Sequence, residues 1–358
     1  MNILHILDSD TWGGIEQYVL YVCEEQKTKG NKTFVFCTNG KKTDISIRYS
    51  NVAEVYTFDL DNAFGILDFN KILEIAKQNE IDVVCIHTSK MIHIALLLKY
   101  LLHIKVCVFK HNAISSKHDI YHAWQRKCVD AYICVSKFVY ELQTQKLTNE
   151  ERTKFHIVYN GININNFNKY SNQKVKNDNT FDIGFAGRMI EEKGIMVLLD
   201  AFTNLIKQYP DMRLLFAGAL NNEYCKYFKK EIKDRLLEDK IIFDGLVTDM
   251  EKFYRSIDVL AFPSLLNESF GLVLCEALYC GIPVITSNSG AQSEIITNRE
   301  YGEVVDAGDI KSLENALIKV YLNKSELVKY KDGRKQYVTE NFNIEKNVSE
   351  LMDIMKFI

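Results

Sequence analysis

The feature that most narrows the fold is an alternation, carried through the whole chain, of short apolar runs and segments with helical spacing. In the first half the apolar, β-branched or aromatic runs fall at 2–7, 33–37, 53–58, 82–86, 105–110 and 131–135. Helical spacing of apolar residues follows most of them, at 15–28, 69–79, 91–102 and 136–145. The second half repeats the pattern, with strands predicted at 181–186, 212–217, 241–243, 258–262, 283–286 and 303–305. Its helices are predicted at 195–208, 222–237, 272–280, 291–297, 311–322 and 325–339. Strand followed by helix, repeated, requires a parallel sheet with helices on both faces, because each crossover must pass over the sheet.

A chain of 358 residues is long enough for two such sheets. Residues 164–180, INNFNKYSNQKVKNDNT, are polar, rich in Asn and Lys, and lack an apolar period; they read as a linker. The expected organisation is an α/β domain over 1–163, a second over 181–342, and an amphipathic segment at 343–358 free to pack back on either one, the N-terminal domain being the first expectation. Both domains read as doubly wound, Rossmann-like sheets facing each other across a cleft. Ligands of such sheets bind outside the carboxyl ends of the strands.

Composition removes other classes. Hydrophobic residues make up 47% of the chain and charged residues 25%, which excludes disorder and collagen. A net charge of −3 argues against a dedicated nucleic-acid binder. No apolar run reaches the length of a membrane span, and the N-terminus lacks the basic start of a secretory signal. The nine cysteines contain no Cys-x-x-Cys pair, so they read as free thiols of a reducing compartment, the cytosol. Charge divides along the chain, +3 over residues 1–178 and −6 over the remainder. The stretch 90–154 has 11 basic and 5 acidic residues and five histidines; it is either a solvated face or a surface meeting anionic lipid or a phosphorylated carrier.

Three segments carry chemistry. In residues 262–285, a strand ends at Pro263, polar Ser264, Asn267, Glu268 and Ser269 follow, and Gly271 opens a helix that stops near Gly281. Glu268 is thereby placed on a loop at the carboxyl end of a strand, and residues 270–273 present backbone N–H groups at a helix N-terminus, which attracts anions. Glu276 falls mid-helix among Leu274, Cys275, Ala277 and Leu278, where a carboxylate must be desolvated. In residues 181–202, Gly184 and Gly187 bring a strand end close to a ligand, and Arg188 and Lys193 add two cations suited to phosphate oxygens. This is neither a P-loop nor the Gly-x-Gly-x-x-Gly fingerprint. The third segment, Trp12-Gly13-Gly14-Ile15-Glu16, is a glycine turn after the first strand. Asp8-Ser9-Asp10 and Asp59-Leu60-Asp61 have the spacing of a metal-binding triplet, but such triplets are common by chance, and no metal is expected.

Together these segments resemble the retaining glycosyltransferases of family 4, the group 1 glycosyltransferases, which have the GT-B fold. The resemblance rests on Gly13-Gly14 with Glu16, Gly187-Arg188 with Lys193-Gly194, Pro263-Ser264, and Glu268 with Glu276, seven residues between them. Asn160-Gly161, Gly245, Asp258, Gly281-Ile282-Pro283 and Gly290 with Glu294 extend it over nearly the whole chain. It implies that Arg188 and Lys193 hold the diphosphate of a nucleotide sugar, that Glu276 accepts from ribose hydroxyls and that Glu268 holds hydroxyls of the donor sugar. It further implies that Ser269 and the N–H groups of Phe270, Gly271, Leu272 and Val273 cradle sugar and phosphate, that Gly245–Val247 meets the base, and that Gly13, Gly14 and His111 contact the donor. Departures are Tyr159 and Asn163 around the Asn-Gly pair and Ser289 where a glycine is usual.

The implied activity is transfer of a hexose or N-acetylhexosamine from a UDP-sugar, or second a GDP-sugar, to a glycan or lipid-linked acceptor in bacterial surface polysaccharide synthesis. It needs no cofactor, and the expected location is cytoplasmic with a peripheral contact on the inner face of the membrane. An inactive GT-B partner subunit and a GT-B epimerase are the alternatives.

Overall fold

The computed structural model describes residues 1–9, 12–38, 45–58, 66–170 and 179–358. It divides into two compact units, one formed by Met1–Gly161 with Ile344–Ile358 and the other by Ile162–Asn343.

The first unit is built on seven strands: β1 Asn2–Leu7, β2 Lys32–Thr38, β3 Glu54–Phe58, β4 Val83–Ile86, β5 Lys105–Lys110, β6 Ala131–Cys134 and β7 Phe155–Ile157. They lie in the order β3-β2-β1-β4-β5-β6-β7, every neighbouring pair parallel. β4 and β6 are buried at every residue, which explains why they read as continuous apolar runs rather than alternating ones. The second unit has six parallel strands: β8 Phe181–Ala186, β9 Met212–Ala217, β10 Ile241–Gly245, β11 Val259–Phe262, β12 Val284–Ser287 and β13 Gly302–Val305. Their order is β10-β9-β8-β11-β12-β13. In both sheets the winding reverses beside the first strand, between β1 and β4 and between β8 and β11. That reversal opens a crevice at the carboxyl ends of those strands. The two doubly wound, Rossmann-like sheets are those expected from the sequence.

Several elements differ from expectation for identifiable reasons. β7 is only three residues long and carries no period of its own. The helix Ile120–Cys128 escapes a reading of apolar spacing because Ile120, Tyr121 and Trp124 face outward, while Gln125 and Arg126 are buried. The helix expected over 325–339 is broken into Lys324–Leu327, a 3-10 turn at Val328–Tyr330, and Lys331–Asn341. Buried Arg334 donates to the Leu327 carbonyl at 3.0 Å and to those of Gly281 and Glu300, taking an acceptor that a continuous helix would use.

The first part of the expected linker is built into the second unit. Ile164–Phe167 forms a 3-10 turn with Phe167 buried, and the N–H groups of Lys169 and Tyr170 donate to the Glu251 carboxylate at 2.8 and 3.2 Å. Residues 171–178 lie outside the described residues. The segment expected at 343–358 is a helix, Ile344–Phe357, in the first unit; it packs on the helix Gly14–Thr28 and buries Val348, Leu351, Met352 and Met355. The nine cysteines are free thiols, eight of them buried. Among the described residues no helix is long and apolar enough to cross a membrane.

Candidate active site

In the second unit, the expected residues gather at the carboxyl ends of β8 and β11. β8 runs into Gly187, and the Gly218 backbone after β9 packs so close that a Cβ on it would meet the Gly187 carbonyl oxygen at 2.1 Å. Arg188 follows, exposed and without an ion pair among the described residues. Lys193 sits on a 3-10 turn, Glu191–Lys193, ended by Gly194 in the left-handed region at φ +70°. A Cβ on Gly194 would lie 1.9 Å from the Pro263 carbonyl oxygen, so glycine is what lets this turn rest on the end of β11. The consequence is direct contact between expected site residues. Lys193 Nζ lies 2.6 Å from Glu268 Oε1, and Ser264 Oγ donates to the same oxygen at 2.6 Å. Glu268 Oε2 takes no bond from a described residue, so one carboxylate oxygen is left to accept from a ligand.

The loop carrying Glu268 is held from behind. Glu268 N–H donates to the Ser289 carbonyl at 3.1 Å and its carbonyl accepts from Ala291 N–H at 2.8 Å. Ser289, where the resemblance expects glycine, is buried; its hydroxyl donates to the Ser264 carbonyl at 2.8 Å and its Oγ accepts from the Gln292 amide at 2.8 Å. The helix Leu272–Tyr279 begins after Gly271, at φ +126°, with no side-chain cap, and the first N–H groups, those of Leu272 and Val273, have no acceptor among the described residues. Phe270 is buried, its ring 5.6 Å from that of Phe342, and Ser269 is half-buried. Glu276 is buried, and Tyr254 Oη donates to its Oε2 at 2.7 Å. Burial pushes its carboxyl up to about 7, a rise the Tyr254 bond restrains. Half-buried Val247 follows β10, whose last residue, Gly245, accepts from Gly218 N–H at 2.8 Å.

The remaining expected residues belong to the first unit. Gly13 is extended and precedes the helix Gly14–Thr28, which has no side-chain cap; a Cβ on Gly13 would come within 3.1 Å of Glu16 Oε2. His111 follows β5, is 5% exposed, and lines a cavity of about 290 Å³ with Lys110, Ser115, Tyr121, His122 and Arg126 among its walls. Among the described residues no Asp or Glu lines that cavity. Burial pushes the Lys110 ammonium down to about 8; it lies 5.0 Å from the Tyr132 ring centre.

Sequence reasoning missed what stands behind His111. His111 Nε2 lies 2.9 Å from His87 Nδ1, His87 Nε2 lies 3.0 Å from His5 Nδ1, and His5 Nε2 lies 2.9 Å from Gln26 Oε1. The visible signal was a histidine inside each apolar run, NILHIL and VVCIH, but only the sheet shows that they meet.

No group of three His, Cys, Asp or Glu that could hold a metal ion occurs among the described residues. Asp8 of the first metal-like triplet pairs with Lys90 at 3.2 Å, while Asp10 and Asp59-Leu60-Asp61 lie outside the described residues.

Residues 166–337 match the model of glycosyl transferases group 1, and residues 12–166 match the model of glycosyltransferase family 4. The chain belongs to the group 1, family 4 glycosyltransferases. Similar relatives include the lipopolysaccharide core biosynthesis mannosyltransferases LpcC of Rhizobium leguminosarum and LpsB of Rhizobium meliloti. LpcC is 28% identical over 47% of this chain and 49% of its own length, and LpsB 26% over 70% and 72%. The match thus spans about half of LpcC. Among solved structures, this family 4 chain resembles Anabaena HepE in complex with UDP and glucose, with TM-score 0.83, 19% identity and 99% of each chain covered. A glycosyltransferase from Rickettsia africae has TM-score 0.87 and 20% identity over 99% of this chain and 97% of that one. These neighbours establish the two-domain GT-B fold.

Proposed function

We propose that this protein transfers a hexose or N-acetylhexosamine from a nucleoside-diphosphate sugar to a glycan or lipid-linked acceptor, with retention at the anomeric carbon and without a metal or cofactor. The observation that carries this reading is the Lys193–Glu268–Ser264 contact at the carboxyl end of β11, with Arg188, exposed and without an ion pair among the described residues, at the end of the neighbouring strand β8. In this role Arg188 and Lys193 hold the diphosphate. Charge that builds on the departing phosphate is met by two fixed cations and by the N–H groups of Gly271, Leu272 and Val273. The second Glu268 oxygen accepts from donor-sugar hydroxyls, and Glu276 accepts from the ribose. Ser269 and Phe270 complete the cradle, Gly187 gives the phosphates access, and Val247 meets the base. Gly13, Gly14 and His111 contribute donor contacts from the first unit.

The acceptor oxygen attacks the anomeric carbon on the face from which the diphosphate leaves. The sugar–phosphate C–O bond breaks as the new C–O bond forms, and the acceptor hydroxyl proton passes to the departing phosphate oxygen. UDP is the first choice of nucleotide, supported by its presence in HepE, and GDP the second. Lys110, Lys117 and Arg126 in the cavity beside His111 support an acceptor that carries a phosphate. Exposed Ile120, Tyr121 and Trp124, near Lys117 and Lys127 in sequence, support a peripheral membrane contact for a lipid-linked acceptor.

The test is a panel of nucleotide sugars followed by thermal unfolding; a donor present at about 100 times its Kd adds about 2.7 kcal/mol. Stabilisation by none of them sinks the proposal. With the donor in hand, Arg188→Ala should raise the barrier by about 2–4 kcal/mol, the product should keep the donor's anomeric configuration, and EDTA should leave turnover unchanged.

A further inference from the structure

The chain Gln26–His5–His87–His111 has a direction, and one end of it sets that direction. Gln26 is fully buried, and its Oε1, which faces His5 Nε2 at 2.9 Å, can only accept. With the amide oxygen on this side, and Gln26 Nε2 buried without a partner among the described residues, His5 Nε2 bears the hydrogen of this pair. If His5 Nδ1 bore one as well, it would face His87 Nε2 at 3.0 Å, and that pair needs one bare nitrogen and one N–H. Burial settles which ring yields: it pushes His5 down to about 4, so the ring is neutral and its Nδ1 bare. His87 then donates from Nε2 to His5. Burial holds His87 well below the usual range, so its Nδ1 is bare, and His111 donates to it from Nε2 at 2.9 Å. His111, pushed down to about 3 by burial, is neutral as well. Among the described residues its Nδ1 is the one ring nitrogen of the three without a partner, and His111 lines the cavity.

We propose that Gln26, His5 and His87 are positioning residues that lock His111 in the Nε2–H tautomer, so that His111 Nδ1 can only accept a hydrogen bond and selects a ligand hydroxyl. A carboxylate or a deoxygenated carbon at that place offers no hydrogen to it and is rejected, which makes the site one for neutral hexoses rather than hexuronates. The selectivity rests on the reading of His111 as a donor-contacting residue; the tautomer order does not.

Two measurements test it. Long-range proton–nitrogen spectra of 15N-histidine-labelled wild-type protein, assigned with single His→Asn variants, should show neutral Nε2–H rings at positions 5, 87 and 111. A Nδ1–H ring at His111 overturns the proposal, with or without a donor bound. Next, Gln26→Met removes the fixed acceptor at nearly constant volume. It should mix the His111 tautomers and reduce the preference for a nucleotide hexose over its singly deoxygenated and hexuronate counterparts by at least about tenfold. Unchanged preference with mixed tautomers overturns the selectivity. A wild-type protein that shows the Nε2–H order yet binds no nucleotide sugar refutes the proposed function and leaves the tautomer order standing. The wild-type spectrum needs no variant, so a Gln26→Met chain that fails to fold does not shelter the idea.

Discussion

Glu276 shows how a single residue trades stability for recognition. Its carboxyl is buried, accepts from one donor among the described residues, Tyr254, and sits at about 7 instead of the usual 4.5. The folded chain therefore keeps a proton that the unfolded chain releases. The stability this gives is fully present below about pH 4.5 and is lost as pH rises through about 7, a difference of about 3 kcal/mol at alkaline pH. Glu276→Gln should remove that loss. Denaturant unfolding should find it more stable than wild type at pH 8 and equal to it at pH 4; equal stability at pH 8 would contradict the assignment. In the proposed role the ribose hydroxyls donate to the ionised form, so nucleotide binding should tighten between pH 5 and 8 and release a proton. Calorimetry in buffers of different ionisation enthalpy reads that proton directly. Glu276→Gln should weaken binding and abolish the release.

At the scale of elements, the site depends on loops held to one another by backbone contacts that only glycine permits. Gly290 is left-handed at φ +84°, and a Cβ there would meet the Glu268 carbonyl oxygen at 2.2 Å. Gly290→Ala should push the Glu268 loop away from Lys193 and reduce turnover by about tenfold or more, while thermal unfolding moves by a few degrees. Turnover within twofold of wild type would show that the loop adjusts without losing its geometry. The sequence made this region legible in outline. Pro263, Gly271 and Gly281 punctuate strand, loop and helix, and they placed Glu268 and Glu276 on the correct elements. It did not reveal the Ser289 bonds or the Lys193–Glu268 contact, because both join segments that are distant in sequence and pack through polar groups without a period. The helix Ile120–Cys128 was missed for a related reason: its large apolar residues point outward, opposite to what amphipathic reading assumes.

For the whole molecule, the C-terminal helix belongs to the unit that begins the chain. Leu351 is fully buried, and its helix packs on Gly14–Thr28, which starts at the glycine pair of the site. Leu351→Ala should destabilise the first unit by about 2–5 kcal/mol. Both tryptophans, Trp12 and Trp124, lie in that unit, so tryptophan fluorescence reports its unfolding alone. A shift absent from fluorescence but present in far-ultraviolet dichroism would assign the loss to the wrong unit.

The sequence by itself determined the two parallel sheets, their helices, and the strand ends where charge and glycine collect, because periodicity and turn residues are local and survive in one dimension. Tertiary structure alone decided that Lys193 and Ser264 share one oxygen of Glu268 and that His5, His87 and His111 form a line ending at Gln26. These depend on strand order, which brings residues 82 positions apart within 3.0 Å, and strand order is not encoded in any local pattern.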